Sequence, residues 1–329
     1  MKIGQIQIKN NRRLIVIYNN DIYLNSITLS YKSIDLIYSL KKNENLTKKI
    51  QKLIKLKKLI KLKKNNVNFL KNIKFLKPVD CEEAWAVGVT YKRQAMEHDK
   101  DLNKKGKSTD LYNFVYSNYR AEVFFKGLYR SIKSTNSNLY LRSDSKLVMP
   151  EAELVLVIGN SGLPIGYTLG NDLTAWDIEK ECPLYLNQAK IWNGSGSIGP
   201  WILPIETIKK PYNLDINCKV IRKGKTILNS DGNTKDLKRS FEELCYFMNL
   251  SNKVNPGSVL FTGTACVIDH KFTLKKNDKV IINNSLLGEL INNIKVHKDK
   301  KKNLRIDYNN INNLLFLLKI KLIIFYNRM

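Results

Sequence analysis

Residues 150–172, PEAELVLVIGNSGLPIGYTLGND, constrain the fold most strongly, because two strand-like runs carry acids at their outer ends. Val, Leu and Ile dominate both runs, and the turn-forming residues Asn160, Ser161 and Gly162 lie between them. This pattern predicts a β-hairpin with a two-residue turn at Ser161 and Gly162. Such a hairpin brings its acids together at the open end.

The predicted pairing places Asp172 directly opposite Glu151 and diagonal to Glu153. Residues two apart share one face of a strand, and directly opposed Cβ atoms are about 5 Å apart. Three carboxylates this close repel one another or take up protons unless a cation balances them. Their oxygen ligands favour Mg²⁺, Mn²⁺ or Ca²⁺ over zinc. A solvent-facing edge hairpin with scattered acids is the alternative.

The positive charge of the chain is concentrated away from these acids. The chain has 329 residues, enough for one large domain or two ordinary ones, and a net charge of +27. Residues 41–77 hold 14 Lys and one acid, whereas residues 141–200 carry a net charge of −3. Lys, Asn and Ile are abundant and have A/T-rich codons, so a biased genome explains the charge without a nucleic-acid ligand.

Cysteine and histidine usage argues against disulfides and zinc. The five cysteines are odd in number and form no CxxC pair, which is typical of reduced thiols in a cytoplasmic protein. The three histidines show no HExxH spacing. The N-terminal sequence lacks an apolar signal core.

Three regions are predicted along the chain: 1–78, 79–297 and 298–329. The first has short strands and then a Lys-rich helix in LTKKIQKLIKLKKLIKLKK, residues 46–64. The second is rich in short β-like runs, with turn signals at Asn193-Gly194, Asp231-Gly232 and Pro256-Gly257. The third has an apolar run that is interrupted by lysines and is too short for a transmembrane helix.

Several motifs surround the acidic hairpin in a specific order: GVTYKR, EVFFK, RSDS followed by PExEL, GYTLGND, and DIExExPLYLxQAK. Together they resemble the fumarylacetoacetate hydrolase superfamily, and within it the 2-keto-3-deoxy-pentonate (arabinonate) dehydratase branch. The resemblance covers residues 80–292 well and 1–79 loosely. It implies a mixed β/α+β fold, a β-sandwich roll with a small N-terminal α+β domain, and assembly into a dimer or tetramer.

The same resemblance assigns roles to individual residues. Glu151, Glu153 and Asp172 take the metal-ligand positions that the hairpin pattern indicates. Lys190 matches the lysine beside the metal, and Glu122 matches an acid over the substrate. Lys190 could instead be a surface lysine, and Glu122 could pair with a neighbouring basic side chain.

Further residues are expected to bind a small-molecule 2-oxo acid. Arg142 and Asp144 could hold its hydroxyls or carboxylate, or could form a structural ion pair. The remaining expected substrate-binding residues are Ser145, Tyr91, Lys92 and Thr264.

One difference from the hydrolases of this superfamily favours dehydration. Their motif carries a His that activates water, and this chain has Gln94 at that position. A neutral amide cannot act as a general base, whereas dehydration needs no activated water. The predicted reaction is therefore metal-dependent dehydration of a 2-keto-3-deoxy sugar acid to 2,5-dioxopentanoate, through an enolate. Acylpyruvate-type hydrolase, tautomerase or decarboxylase activity is the alternative within the superfamily.

Two other differences affect the surroundings of the site. Trp176 stands where the family usually has arginine, and Ala265 lies in an altered GTGxxP pattern.

An alternative of another class is a basic protein that binds nucleic acid or a membrane surface through residues 41–77. Its binding would weaken steeply with salt.

Overall fold

The computed structural model describes residues 1–25, 32–41, 44–62, 73–80, 82–103 and 110–297. Residues 1–296 form one compact unit, and residues 297–329 form another, of which only His297 is described. The predicted apolar run near the C-terminus therefore lies outside the described residues.

The N-terminal part begins with a three-stranded antiparallel meander and continues with two helices and two short strands. Leu14 and Val16 in its middle strand belong to one apolar cluster and Ile15 to the other, so both faces of this strand are buried. Its elements are β1 Lys2–Ile8, β2 Asn11–Tyr18, β3 Asp21–Asn25, α1 Ser33–Tyr38, α2 Leu46–Lys55, β4 Leu59–Lys61 and β5 Lys74–Phe75.

The remainder of the compact unit is built mainly from strands. It begins with β6 Glu83–Gly88, α3 Lys92–Asn103, α4 Leu111–Ser117, β7 Glu122–Leu128, β8 Ile132–Lys133, β9 Ser137–Leu141 and β10 Val148–Met149. It continues with β11 Ala152–Ile158, β12 Pro164–Asp172, β13 Thr174–Ala175, α5 Trp176–Glu181, α6 Leu186–Lys190 and β14 Gly196–Pro204. The last elements are β15 Asp215–Arg222, β16 Lys225–Asn233, α7 Phe241–Asn249, β17 Val259–Thr264, β18 Lys279–Asn284 and β19 Gly288–Val296.

Most strands belong to two sheets. The larger sheet has the order β4-β3-β2-β1-β14-β12-β11-β17-β6-β7, with β5 beside β1 and β8 beside β14. The smaller sheet has the order β16-β15-β18-β19-β9, and β10 pairs with β13 separately. The predicted mixed, sheet-dominated fold is confirmed.

The acidic hairpin, β11 and β12, lies in the middle of the larger sheet. Leu154 and Leu156 belong to the apolar cluster shared with the smaller sheet. Val155 and Val157 point to the opposite face, where a second cluster includes residues of α1 and α2. Glu153 follows the alternation of Val155 and Val157, so it lies on the face opposite the smaller sheet.

The register predicted for the acidic end of the hairpin is confirmed. Ala152 pairs with Asn171, and the Asp172 N–H donates to the Glu151 carbonyl at 2.9 Å. The predicted two-residue turn is wrong, because Ile158 pairs with Pro164 and a bulge lies beside this pair. The bulge is confined to the turn end, so it does not alter the pairing of the acids.

The predicted Lys-rich helix is shorter than its sequence pattern. The helix α2 ends at Lys55, and Lys57 adopts a positive φ of 52°. Leu59 then pairs with Asn25 in β4, where it is buried. Sheet pairing thus takes over where the helical spacing was expected to continue.

The predicted turn at Asp231-Gly232 is also wrong, since both residues lie within β16. A Cβ at position 232 would lie 2.5 Å from the Ala265 Cβ. Glycine is therefore required here for close packing against Ala265 and not for a turn.

The N-terminal strands join the larger sheet directly, through pairing of Ile3 in β1 with Ile202 in β14. The division of the chain at residue 78 remains a prediction. Of the described helices, none is long and apolar enough to cross a membrane.

Truncation of Leu156 is expected to reduce stability substantially. Leu156 is fully buried between the two sheets, so Leu156→Ala should lower the free energy of unfolding by about 2–5 kcal/mol. Leu163→Ala is the control, because Leu163 is 46% exposed in the turn of the same hairpin. Urea unfolding of both variants measures the difference, and equal losses would contradict the assignment of Leu156 to the core.

Candidate metal and catalytic site

Three carboxylates meet at the open end of the acidic hairpin. Glu151, Glu153 and Asp172 are all buried, and one oxygen from each lies within 4.8 Å of the others. The hairpin pairing and the alternation of side chains put them on one face. The structure thus brings together the three residues that the sequence predicts as metal ligands.

A different protein donor holds each of these carboxylates. The Thr174 hydroxyl donates to Glu151 Oε1 at 2.5 Å, and the Gly263 N–H donates to Glu153 Oε2 at 2.7 Å. The ammonium of Lys126 forms an ion pair with Asp172 Oδ1 at 2.5 Å. One oxygen of each carboxylate is therefore engaged by the surrounding fold.

Lys190 supplies a second ammonium at this cluster. It ends α6, and it lies one helical turn after Leu186, so both side chains line the same cavity. Its Nζ is 2.9 Å from Glu151 Oε2 and 3.6 Å from Asp172 Oδ2. Burial opposes its charge, but the nearby carboxylates outweigh this effect and raise the pKa of Lys190, so the ammonium stays protonated.

The electrostatics of the carboxylates fit a divalent cation. Burial, and then the charges of Asp172 and Glu151, raise the pKa of Glu153 well above its ordinary value. A +2 ion would remove this conflict, and an all-oxygen ligand set suits Mg²⁺, Mn²⁺ or Ca²⁺. Glu151, Glu153 and Asp172 could hold such an ion.

Glu122 faces the same cavity from strand β7. Glu122, Phe124 and Lys126 alternate along one face of this strand. Glu122 and Phe124 line the cavity, and Lys126 reaches Asp172. A Cβ at Gly88 would lie 2.2 Å from Glu122 Oε2, so glycine makes room for the carboxyl group. Burial raises the pKa of Glu122.

Glu179 is a further buried acid in the cavity wall, and it was not predicted from the sequence. The Tyr112 hydroxyl donates to Glu179 Oε1 at 2.9 Å, whereas Glu179 Oε2 is buried without a hydrogen-bond partner. Burial raises the pKa of Glu179 to about 7. This carboxyl group can therefore hold or release a proton near neutral pH.

The cavity is narrow, and an aromatic cluster lies beside it. Its volume is about 30 Å³, and a neighbouring cavity of about 20 Å³ shares Gln94, His98 and Glu151 with it. The His98 ring centroid lies 4.3 Å from that of Trp176 and 4.9 Å from that of His270. Burial lowers the pKa of His98 well below its ordinary value, so this imidazole is neutral.

The residues of the RSDS motif lie outside these cavities. Arg142 forms a bidentate ion pair with Asp144, at 2.6 and 3.0 Å, and donates to the Gln188 carbonyl in α6 at 2.7 Å. The Ser145 hydroxyl donates to Asp177 in α5 at 2.5 Å. The motif thus contacts both helices that carry buried charged residues of the cavity.

The other predicted substrate-binding residues occupy three different settings. Tyr91 is buried, and its hydroxyl has no hydrogen-bond partner. Lys92 is exposed at the start of α3. Thr264 lines the smaller cavity, and its hydroxyl donates to the Ala152 carbonyl at 2.9 Å.

The sequence contains a signal for some of the residues that were missed. Lys126 lies two positions after Phe124 and four after Glu122 in an apolar strand. The alternation of side chains therefore places Lys126 on the same face of that strand as Glu122. Glu179 lies one helical turn after Trp176, and both are buried. No comparable signal joins Tyr112 or His98 to the hairpin, since they come from α4 and α3.

Known proteins similar to this chain include sugar-acid dehydratases. The chain is 36% identical over 219 residues to 2-dehydro-3-deoxy-D-arabinonate dehydratase of Saccharolobus solfataricus, covering 67% of this chain and 74% of that protein. It is also 36% identical over 219 residues to a Haloferax volcanii protein named "Probable 2-keto-3-deoxyxylonate dehydratase", covering 66% of this chain and 73% of that protein.

Solved structures and a family model agree with these similarities. A structure of 2-keto-3-deoxy-D-arabinonate dehydratase complexed with magnesium and 2,5-dioxopentanoate has a TM-score of 0.75 and 29% identity, covering 91% of this chain and all of that chain. The family model for the fumarylacetoacetate (FAA) hydrolase C-terminal region matches residues 83–295. The chain therefore belongs to the fumarylacetoacetate hydrolase family.

Proposed function

We propose that this protein is a magnesium-dependent lyase that removes water from a 2-keto-3-deoxy-pentonate and yields 2,5-dioxopentanoate. The observation that carries the proposal is the buried cluster of Glu151, Glu153 and Asp172 with Lys190 beside it. The similarity to dehydratases, one of them in complex with magnesium and 2,5-dioxopentanoate, supports both the reaction and the metal.

The three carboxylates would hold the metal, and the cavity would take the 2-oxo acid end of the substrate. When bound, the ion supplies a Lewis acid that stabilises negative charge developing on the substrate's keto oxygen. Donors from Thr174, Gly263 and Lys126 keep the carboxylates in place, so little reorganisation is needed when the substrate enters.

Glu122 and Lys190 are assigned the proton transfers. The carboxylate of Glu122 removes a proton from C3, and its raised pKa makes it a stronger base than an exposed Glu. The ammonium of Lys190, which stays protonated, gives a proton to the C4 hydroxyl, and this group leaves as water. Proton shifts from the C5 carbinol group to C3 and C4 then convert that alcohol into the aldehyde.

Glu179 offers a site for these later proton shifts. Its free oxygen Oε2 lies in the cavity wall, and its pKa of about 7 allows both protonation states near neutral pH. The Tyr112 hydroxyl fixes the orientation of the carboxyl group through its hydrogen bond to the other oxygen.

The remaining assignments are also proposals. Arg142, Asp144 and Ser145 support α5 and α6 through their contacts with Asp177 and Gln188, and thereby position the cavity wall. Tyr91, Lys92 and Thr264 are proposed substrate contacts. The chain is proposed to be a cytoplasmic homo-oligomer with a small N-terminal domain over residues 1–78 and no nucleic-acid partner.

Release of 2,5-dioxopentanoate tests the reaction directly. Purified protein is expected to turn over the D- or the L-enantiomer of 2-keto-3-deoxy-pentonate with Mg²⁺ and to stop when EDTA is added. Glu153→Gln should lower kcat/KM by more than about 100-fold. Loss of a group that hydrogen-bonds a metal ligand typically costs about 10- to 100-fold, and loss of the ligand itself should cost more. Glu289→Gln, which removes an exposed carboxylate from β19, is the control.

Cleavage of acylpyruvates without any dehydration would contradict the proposed reaction and favour a hydrolase. Dehydration that continues in EDTA would contradict the proposed metal dependence.

Neutralising Glu122 is expected to reduce kcat with little change in KM. The Glu122→Gln side chain keeps its size but cannot accept the C3 proton, so kcat should fall about 100- to 10,000-fold. Exchange of C3 hydrogen with deuterated water, followed by NMR, should disappear in the same variant. Unchanged exchange would assign the base to another residue.

The raised pKa of Glu179 makes stability depend on pH. Between its ordinary value of 4.5 and about 7, the folded protein keeps a proton that the unfolded chain releases. This group therefore destabilises the fold increasingly as pH rises through that window, by at most about 3 kcal/mol above pH 7. Glu179→Gln in EDTA should leave unfolding at pH 4.5 nearly unchanged and stabilise the protein at pH 8.

Urea unfolding across this range measures the effect, with Glu181→Gln as the control from the exposed side of the same helix. A gain that is the same at pH 4.5 and pH 8 would contradict the raised pKa.

A further inference from the structure

The carboxylates of the site share a feature that bears on the choice of metal ion. One oxygen of each is taken by a donor of the protein: Thr174 at Glu151, Gly263 at Glu153 and Lys126 at Asp172. These contacts leave one further oxygen on each side chain, and on Glu151 that oxygen, Oε2, accepts a hydrogen bond from Lys190. Glu151 Oε2 and Asp172 Oδ2, the remaining oxygens of two of them, both lie near Lys190 Nζ, at 2.9 and 3.6 Å.

Lys126 is the most firmly held of these donors. Its side chain is fully buried, and its ammonium also donates to the Lys190 carbonyl and, at 3.2 Å, to the Ser195 hydroxyl. The Trp192 ring centroid lies 5.6 Å from the ammonium. These contacts fix the position of the charge, so Asp172 cannot readily turn Oδ1 toward an ion.

The number of available oxygens matters because Mg²⁺ and Ca²⁺ differ in coordination. Mg²⁺ demands an octahedron of six ligands at about 2.0–2.1 Å and commonly keeps several waters. Ca²⁺ takes six to eight oxygens at about 2.3–2.6 Å and often uses carboxylates in a bidentate manner. Three carboxylates limited to one oxygen each suit the smaller ion.

We propose that Lys126, together with the Thr174 hydroxyl, restricts the metal-binding carboxylates to one oxygen each and so makes the site select Mg²⁺ over Ca²⁺. In this role Lys126 is a positioning residue, since it acts on the ion through Asp172. The inference rests on the metal site of the proposed function.

The ratio of the two dissociation constants, Kd for Ca²⁺ over Kd for Mg²⁺, is the quantity that tests this role. Removal of the Lys126 charge changes the attraction of both ions, but they carry the same charge, so this electrostatic effect largely cancels in the ratio. The ratio then reports on ligand geometry. Isothermal titration calorimetry with each ion, without substrate, measures both constants.

Lys126→Met is expected to lower this ratio by about tenfold or more, the scale on which outer partners act at metal sites. Thr174→Val should lower the ratio independently, because it frees Glu151 Oε1 while keeping the size of the side chain. This second variant keeps Lys126, so it tests the proposal even if Lys126→Met does not fold. Circular dichroism identifies the folded variants.

Lys133→Met is the matched control, since Lys133 is a half-buried lysine that contacts the Arg130 carbonyl and Asn193 and none of the carboxylates. Its ratio should equal that of the unaltered protein. An unchanged ratio in folded Lys126→Met or Thr174→Val would overturn the inference. Failure of the unaltered protein to bind Mg²⁺ would instead overturn the proposed metal site itself.

Discussion

The burial of three carboxylates beside two ammonium groups is the interaction on which the site depends. Glu151, Glu153 and Asp172 cannot all be charged in a buried place without compensation, and Lys126 and Lys190 supply part of it. Each lysine comes from an element outside the hairpin, β7 and α6 respectively. The charge balance therefore requires correct packing of distant parts of the chain.

The hairpin and the helices α5 and α6 position the charged side chains around the cavity. The hairpin lies in the middle of the larger sheet, with apolar residues packed on both of its faces. The RSDS motif contacts both α5 and α6, which carry Glu179 and Lys190. The hairpin thus presents the carboxylates, and two short helices that contact the RSDS motif present Glu179 and Lys190.

The sequence predicted the structure correctly where a single local pattern determines which residues meet. Alternation in two paired strands predicted that Glu151, Glu153 and Asp172 meet, and the register there is confirmed although the predicted turn is wrong. The Lys-rich helix was predicted too long, because pairing of Leu59 with β3 outweighs helical spacing. Tyr112 and Glu179 meet across 67 residues of chain, and no local pattern encodes such a contact.

The glycines around the cavity have a consequence for how this gene can change over time. A Cβ at Gly88 would lie 2.2 Å from Glu122, and one at Gly263 would lie 2.1 Å from the Thr90 hydroxyl. Glycine codons begin with two guanines, whereas the codons of Lys, Asn and Ile, which are abundant in this chain, are rich in A and T. A codon change at either position would place a side chain where the Glu122 carboxyl group or the Thr90 hydroxyl lies, so the mutational bias of the gene acts directly on the cavity.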